Sequence, residues 1–190
     1  MTDETAAKPA EKAESTGWLL LIYRVPPEPT RLRSTVWRRI KSLGAIYLQN
    51  SAAALPASAA TERALRKLRR EIIEMSGTAI LLSCDVLAGE SDVRSAFQAA
   101  RNDEYEEIVD RCEDFLQQVK KEYTDNHFTY AELGENEVVL DKLRNWFDKV
   151  RERDAFDADG RAAVEKALDG CEQSLEAYAA RVYAEEAESR

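Results

Sequence analysis

The sequence predicts an α+β protein in two parts, a small sheet-and-helix domain followed by an all-helical one. Between residues 17 and 88, apolar runs and amphipathic stretches alternate in the order β-α-β-β-α-β. After Gly89 the apolar residues recur only at helical spacing. The charge also changes sign near this boundary, which supports a division into residues 1–16, 17–88 and 89–188.

The first strand and helix follow directly from the residue pattern. Residues 18–25 form a near-continuous apolar run of the kind found in a buried central strand, and Pro26 ends it because proline cannot donate to a sheet ladder. Thr30 is the expected cap of a helix over residues 31–43, which Gly44 closes.

A hairpin, a second helix and a last strand complete this domain. Residues 45–49 and 52–55 predict two short strands around an Asn50-Ser51 turn. A second amphipathic helix is expected over residues 60–75, closed by Gly77, and a final strand over residues 78–86. The order is that of a ferredoxin-like domain, in which two helices cover one face of a four-stranded antiparallel sheet.

The second part predicts three long helices that form an antiparallel bundle or hairpin. Helices are expected over residues 104–123, from about residue 135 to between 153 and 156, and after a cap at Asp157 or Asp159. The last helix has an unbroken apolar seam at alternating spacings of four and three: Val164, Leu168, Cys171, Leu175, Tyr178 and Val182. Such a seam serves either the core or the interface of a homodimer.

Composition indicates a cytoplasmic protein without a membrane span. Residues 1–16 lack an apolar segment and are interpreted as a disordered tail rather than a secretory signal. No apolar run is long enough to cross a bilayer. Cys84, Cys112 and Cys171 form no CxxC pair and are interpreted as small buried hydrophobes in a reducing compartment.

The charge is unevenly distributed along the chain. Residues 18–75 contain 11 Lys/Arg against 4 Asp/Glu, whereas residues 76–190 contain 14 against 28. The basic part is therefore expected to meet an anion such as nucleic acid, or the acidic part of its own chain.

No motif for catalysis, a metal or a cofactor is found. Walker, GxGxxG, HExxH and GxSxG patterns are absent, and the one histidine, His127, is expected at the surface or in a cap. The acidic residues of segment 104–114 are interpreted as a solvated helix face. These observations argue against an enzyme.

The basic residues are the candidate site residues. Arg24 ends an otherwise apolar strand, and Arg31 and Arg33 follow the prolines, so these three are candidates to bind an oxyanion through their guanidinium groups. A larger set on the two helices suits the DNA backbone: Arg38, Arg39, Lys41, Arg63, Arg66, Lys67, Arg69 and Arg70.

A family resemblance gives these residues a context. Residues 18–26, and then Arg31, Arg33, Trp37-Arg38-Arg39, Lys41, Leu43-Gly44-Ala45 and Tyr47-Leu48-Gln49-Asn50, resemble the N-terminal domain of ChrB-type chromate-resistance proteins. The likeness covers about residues 17–150, and the chain is expected to lack the C-terminal domain of full-length members. It implies a chromate-responsive, DNA-associated transcriptional regulator.

Three other functions remain open at this stage. One is an oxyanion-binding sensor or accessory module without DNA binding, and another is a structural protein-interaction module. The third is a chromate reductase, against which the lack of flavin, nicotinamide and metal motifs argues. The domain is also similar to that of small CRISPR adaptation nucleases, but Arg24 occupies the place of their acidic metal ligand, which argues against a nuclease.

Overall fold

The computed structural model describes residues 17–188, which form two compact units divided between Glu90 and Ser91. Each unit is described by itself. The tail expected to be disordered, residues 1–16, lies outside the described residues.

The first unit is a four-stranded sheet with two helices, and the α+β prediction is confirmed. Its elements in chain order are β1 (Trp18–Arg24), α1 (Thr30–Ser42), β2 (Ile46–Gln49), β3 (Ala52–Pro56), α2 (Ala59–Glu74) and β4 (Thr78–Cys84). The strands pair antiparallel in the order β2-β3-β1-β4, which is the ferredoxin-like order. β1 is therefore central, and β2 and β4 are the edges.

The strand register decides which side chains face the helices. Leu19 lies opposite Leu55 and Leu21 opposite Ala53, and all four side chains are less than 5% exposed. Together with Val36 and Ile40 of α1, and with Leu65, Leu68 and Ile72 of α2, they form the core of this unit. Alternation sends the next residues to the other face, where Ile22 is 43% and Ile80 59% exposed.

Two helix starts differ from expectation because of capping chemistry. Thr30 is the first residue of α1, and the cap position is Pro29, whose side chain cannot accept a hydrogen bond. α2 begins one residue early, at Ala59. The reason is that the Ser58 hydroxyl accepts from the Thr61 amide at 3.1 Å while Thr61 Oγ1 accepts from the Ser58 amide at 2.9 Å.

The turn after α2 also differs from expectation. Ser76 rather than Gly77 adopts the left-handed conformation, with φ of 61°. Gly77 is needed for space, because a Cβ there would lie 2.6 Å from the Arg24 carbonyl oxygen. β4 then ends at Cys84, two residues before the expected end.

The second unit consists of three long helices. They are α3 (Glu90–Thr124), α4 (Tyr130–Glu152) and α5 (Arg161–Glu188). Because short turns join them, neighbouring helices run antiparallel, as predicted. α3 starts 14 residues before the expected position, because the weakly apolar stretch around Phe97 is helical too. α4 starts early because Thr129 accepts a hydrogen bond from the Glu132 amide.

The apolar seam of α5 belongs to the core of this unit. Val164, Cys171, Tyr178 and Val182 are fully buried among residues of α3 and α4 such as Ile108, and Leu175 packs against the same cluster. The seam is therefore used within the chain. A homodimer, if it forms, has to use another surface.

The connection between α4 and α5 is tied to α3 by hydrogen bonds. Tyr105 Oη donates to Asp154 Oδ2 at 3.0 Å, and the same carboxylate accepts from the Ala158 amide at 3.0 Å. Asn102 Oδ1 accepts from the Gly160 amide at 2.9 Å. These hydrogen bonds hold the connection between α4 and α5 against α3.

Two of the three cysteines are buried as expected. Cys112 and Cys171 are fully buried as predicted, but Cys84 is only half-buried because it ends an edge strand. Within residues 17–188, no helix is both long and apolar enough to cross a bilayer.

Candidate anion-binding surface

One ion pair shows how the basic residues of α1 and α2 are arranged. Arg39 Nε on α1 lies 3.8 Å from Glu71 Oε2 on α2, so these two side chains mark the sides on which the helices meet. Residues four and eight positions away share the same side of a helix. This places Arg31 with Arg39 on α1, and Lys67 and Arg63 with Glu71 on α2.

Arg38 follows Arg31 by seven residues, about two helical turns, so it lies on the same side of α1. We call Arg31, Arg38, Arg39, Arg63 and Lys67 the α1–α2 basic strip. All five side chains are exposed. Within the described chain, Glu71 is the one carboxylate that forms an ion pair with any of them. The strip therefore presents mostly uncompensated positive charge.

Two arginines predicted to join this set lie on the part of α2 that faces β4. Arg66 is bound to Glu62, with 2.7 Å between Nη2 and Oε1, and Arg69 Nε donates to the Ala79 carbonyl at 3.0 Å. Both line a groove of about 680 Å³ between α2 and β4, which Arg70 also reaches. We call this the β4 groove. The predicted DNA-binding residues thus belong to more than one surface.

Lys41 belongs to neither the α1–α2 basic strip nor the β4 groove, and lies on a different side of α1 from Arg39. It follows Arg33 and Trp37 at intervals of four residues, so the three side chains share one side of the helix. Trp37 is 52% exposed. Sequence reasoning did not single out this tryptophan, although its absence from the apolar stripe of Leu32, Val36, Ile40 and Leu43 was the available signal.

The three candidate oxyanion ligands lie in two places. Arg31 and Arg33 are in the first turn of α1, which has no side-chain cap and no acidic residue. Arg33 Nη2 also donates to the Pro27 carbonyl at 3.4 Å. Arg24 ends β1 opposite Thr78, and alternation directs its side chain to the face with Ile22 and away from α1. Arg31 and Arg33 therefore lie on different sides of the start of α1, and Arg24 lies apart from both on the other face of the sheet.

The remaining candidates have structural partners. His127 Nδ1 lies 3.4 Å from the buried carboxylate of Glu122, and the histidine side chain is 61% exposed. Glu104 is half-buried between Arg101 and Arg153 rather than solvated. The other acidic residues of this stretch, including Glu106 and Asp110, are exposed. Among residues 17–188, no three His, Cys, Asp or Glu side chains are grouped to hold a metal.

The chain is an α+β protein with a basic ferredoxin-like unit and an acidic three-helix unit. A family model described as Protein ChrB, N-terminal, matches residues 33–189, so the chain belongs to this family and the predicted resemblance is confirmed. The match begins at residue 33, after the first strand on which part of the resemblance was based, and extends to the end of α5.

A curated relative gives the same result. The chain is 25% identical over 152 residues to Protein ChrB of Cupriavidus metallidurans, and the match covers 79% of this chain. It covers 44% of the relative, so the chain spans less than half of that protein's length.

Proposed function

We propose that this protein is a DNA-associated transcriptional regulator of chromate resistance that contacts the phosphate backbone through the α1–α2 basic strip. The observation that carries the proposal is the exposure of five cationic side chains on two adjacent helices, with a single carboxylate partner among residues 17–188. Membership of the ChrB N-terminal family supports the chromate context.

The chemistry of the strip favours backbone contact over base reading. Arginine and lysine at helix surfaces neutralise phosphates, and this interaction depends on salt rather than on sequence. The strip has cations on both helices, so it suits an extended anion better than a small one. Base-specific contacts then have to come from elsewhere in the regulator.

The first prediction concerns the salt dependence of binding. Replacing Arg63 and Lys67 with glutamine removes two exposed cations on one side of α2. We expect weaker binding to a duplex from the upstream region of the gene, with the slope of log Kobs against log salt reduced by about 2. Fluorescence anisotropy over a range of salt concentrations measures this slope.

The matched control is the Arg66→Gln/Arg69→Gln double variant. It removes the same charge from the same helix but on the side of the β4 groove. Its salt slope should stay close to that of the unchanged protein. No binding by the folded unchanged protein at low salt, or equal slopes for both double variants, would refute the role of the strip.

A second candidate function is oxyanion binding at the start of α1. We infer it from Arg31 and Arg33 beside an uncapped helix N-terminus, where the backbone amides and helix dipole favour an anion. The heat of binding chromate or sulfate, measured by calorimetry, should fall by roughly half or more in Arg31→Ala/Arg33→Ala, because charge-assisted hydrogen bonds to the anion are lost. Arg24→Ala should keep its heats, because Arg24 lies on the other sheet face. Equal heats for the unchanged protein and both variants would show that Arg31 and Arg33 do not bind the oxyanion.

A further inference from the structure

β4 is an edge strand without the usual protection against strand pairing. It is seven residues long, with the sequence TAILLSC, and contains no charged residue and no proline. Edge strands are commonly protected by lysine, proline or a bulge because their unpaired backbone groups can join another strand. The pairing of β4 with β1 is also regular along its whole length.

The hydrogen bonds of β1 show which backbone groups of β4 point outward. The Tyr23 amide donates to the Ser51 carbonyl at 2.9 Å, on the β3 side of β1. In an antiparallel ladder, both backbone groups of a residue point to the same side, and successive residues alternate. Leu21 and Leu19 therefore also bond toward β3, and their opposite residues in β4 point away from the sheet.

Those outward residues are Ala79, Leu81 and Ser83. Arg69 Nε donates to the Ala79 carbonyl at 3.0 Å, which independently shows that this carbonyl faces outward. In the part of the chain that the structure describes, the outward groups of Leu81 and Ser83 have no such partner. They offer two N–H donors and two C=O acceptors to an added strand.

The wall beside this edge is cationic. The β4 groove is lined by Arg66, Arg69 and Arg70 of α2, against Glu62 as its one acidic residue. An extended segment lying along β4 would place alternate side chains next to this wall. Carboxylates at those positions would meet the guanidinium groups, and apolar side chains at the others would meet Ile80 and Leu82, which are 59% and 42% exposed.

We propose that the β4 groove binds an extended acidic segment of another protein by strand addition to Leu81 and Ser83. The charge of the groove selects this partner over a second copy of the chain. Symmetric pairing of two β4 strands would bring two arginine walls together, which is unfavourable between like charges. The site is separate from the α1–α2 basic strip and does not depend on the proposed function.

A synthetic peptide of alternating glutamate and valine, about eight residues long, is the probe. Labelled with fluorescein, it should bind the full chain in an anisotropy titration at low salt. In ¹⁵N-labelled protein, its binding should shift the amide signals of Leu81 and Ser83 and slow their hydrogen exchange. Arg66→Gln/Arg69→Gln should weaken binding about tenfold, whereas Arg63→Gln/Lys67→Gln should change it less than about twofold.

Two control peptides distinguish strand addition from non-specific electrostatic binding. A lysine-valine peptide tests charge, and a glutamate-valine peptide with every amide N-methylated has no N–H group to donate to the ladder from either edge. Each should bind about tenfold more weakly or worse. The proposal is overturned by equal loss in the two double variants, by unchanged affinity after N-methylation, or by self-association of the chain through β4. For DNA the expected order is reversed: Arg63→Gln/Lys67→Gln should weaken binding and Arg66→Gln/Arg69→Gln should not. The failure of one proposal is therefore distinguishable from failure of the other.

Discussion

Replacing Gly77 with alanine should destabilise the ferredoxin-like unit by about 3–5 kcal/mol, close to the largest effects of single substitutions. A Cβ at this position would lie 2.6 Å from the Arg24 carbonyl oxygen and 2.9 Å from the Ile72 carbonyl oxygen. Both are backbone atoms of β1 and α2, so no change of side-chain rotamer relieves the clash. The backbone of β1 or the end of α2 has to move instead.

Urea unfolding followed by circular dichroism measures this loss, and other glycines provide matched controls. Gly17→Ala in the same unit should be close to neutral, because its Cβ would make only an ordinary contact of 3.5 Å with Ala57. Gly134→Ala should stabilise α4 by about 0.5–1 kcal/mol, since nothing lies within 4 Å and alanine favours the helix. A Gly77→Ala protein as stable as Gly17→Ala would show that the turn is not tightly packed.

Gly77 also illustrates what the sequence could predict and what it could not. A glycine after an amphipathic helix predicts a turn, and the turn is there. Which residue takes the left-handed conformation is decided by close packing of the turn against β1, and the sequence contains no record of that contact. Gly77 was expected only to close the helix, and Ser76 is the residue with the positive φ.

Apolar periodicity predicted the elements better than it predicted their ends. The seam of α5 is strong because this helix buries one face, and all its predicted residues are buried except Leu175, which is partly buried. The start of α3 was missed because Phe97 is the one large apolar side chain of residues 90–103 that is buried, and the other large buried side chain there is the charged Arg101. The start of α2 depended on the reciprocal bonds of Ser58 and Thr61, a weaker sequence signal than Ser-x-x-Glu.

The candidate surfaces were predictable in composition but not in arrangement. Charge counting identified the basic residues of α1 and α2 as one set. The structure assigns them to different sides of the helices, because Glu71 pairs with Arg39 whereas Ala79 accepts from Arg69. The outward direction of Leu81 and Ser83 depends on strand order, since β4 is an edge only because β1 pairs with β3 on its other side.

Among the charged residues of the three-helix unit, Glu104 is the one whose replacement should lower the free energy of unfolding most. Its carboxylate binds two guanidinium groups, with 2.9 Å from Oε1 to Arg101 Nη2 and a second, short contact from Oε2 to Arg153 Nη2. The Arg101 side chain is only 2% exposed. Burial lowers the pKa of the Arg101 guanidinium, and Glu104 opposes this shift. Glu104→Gln would remove the one carboxylate that binds both cations, and Asp154 would remain as the anion that acts on Arg101.

We expect Glu104→Gln to lower the free energy of unfolding by about 3–5 kcal/mol, because an uncompensated buried charge is costly. Arg101→Met should cost less than about 1.5 kcal/mol. Within the described chain, Nε and Nη1 of Arg101 have no hydrogen-bond partner, so their removal recovers desolvation energy, and Glu104 keeps Arg153. Urea unfolding of both variants, with the exposed Arg111→Met as control, tests this asymmetry. A larger loss for Arg101→Met than for Glu104→Gln would show that the buried guanidinium, rather than the carboxylate, holds the three-helix unit together at this point.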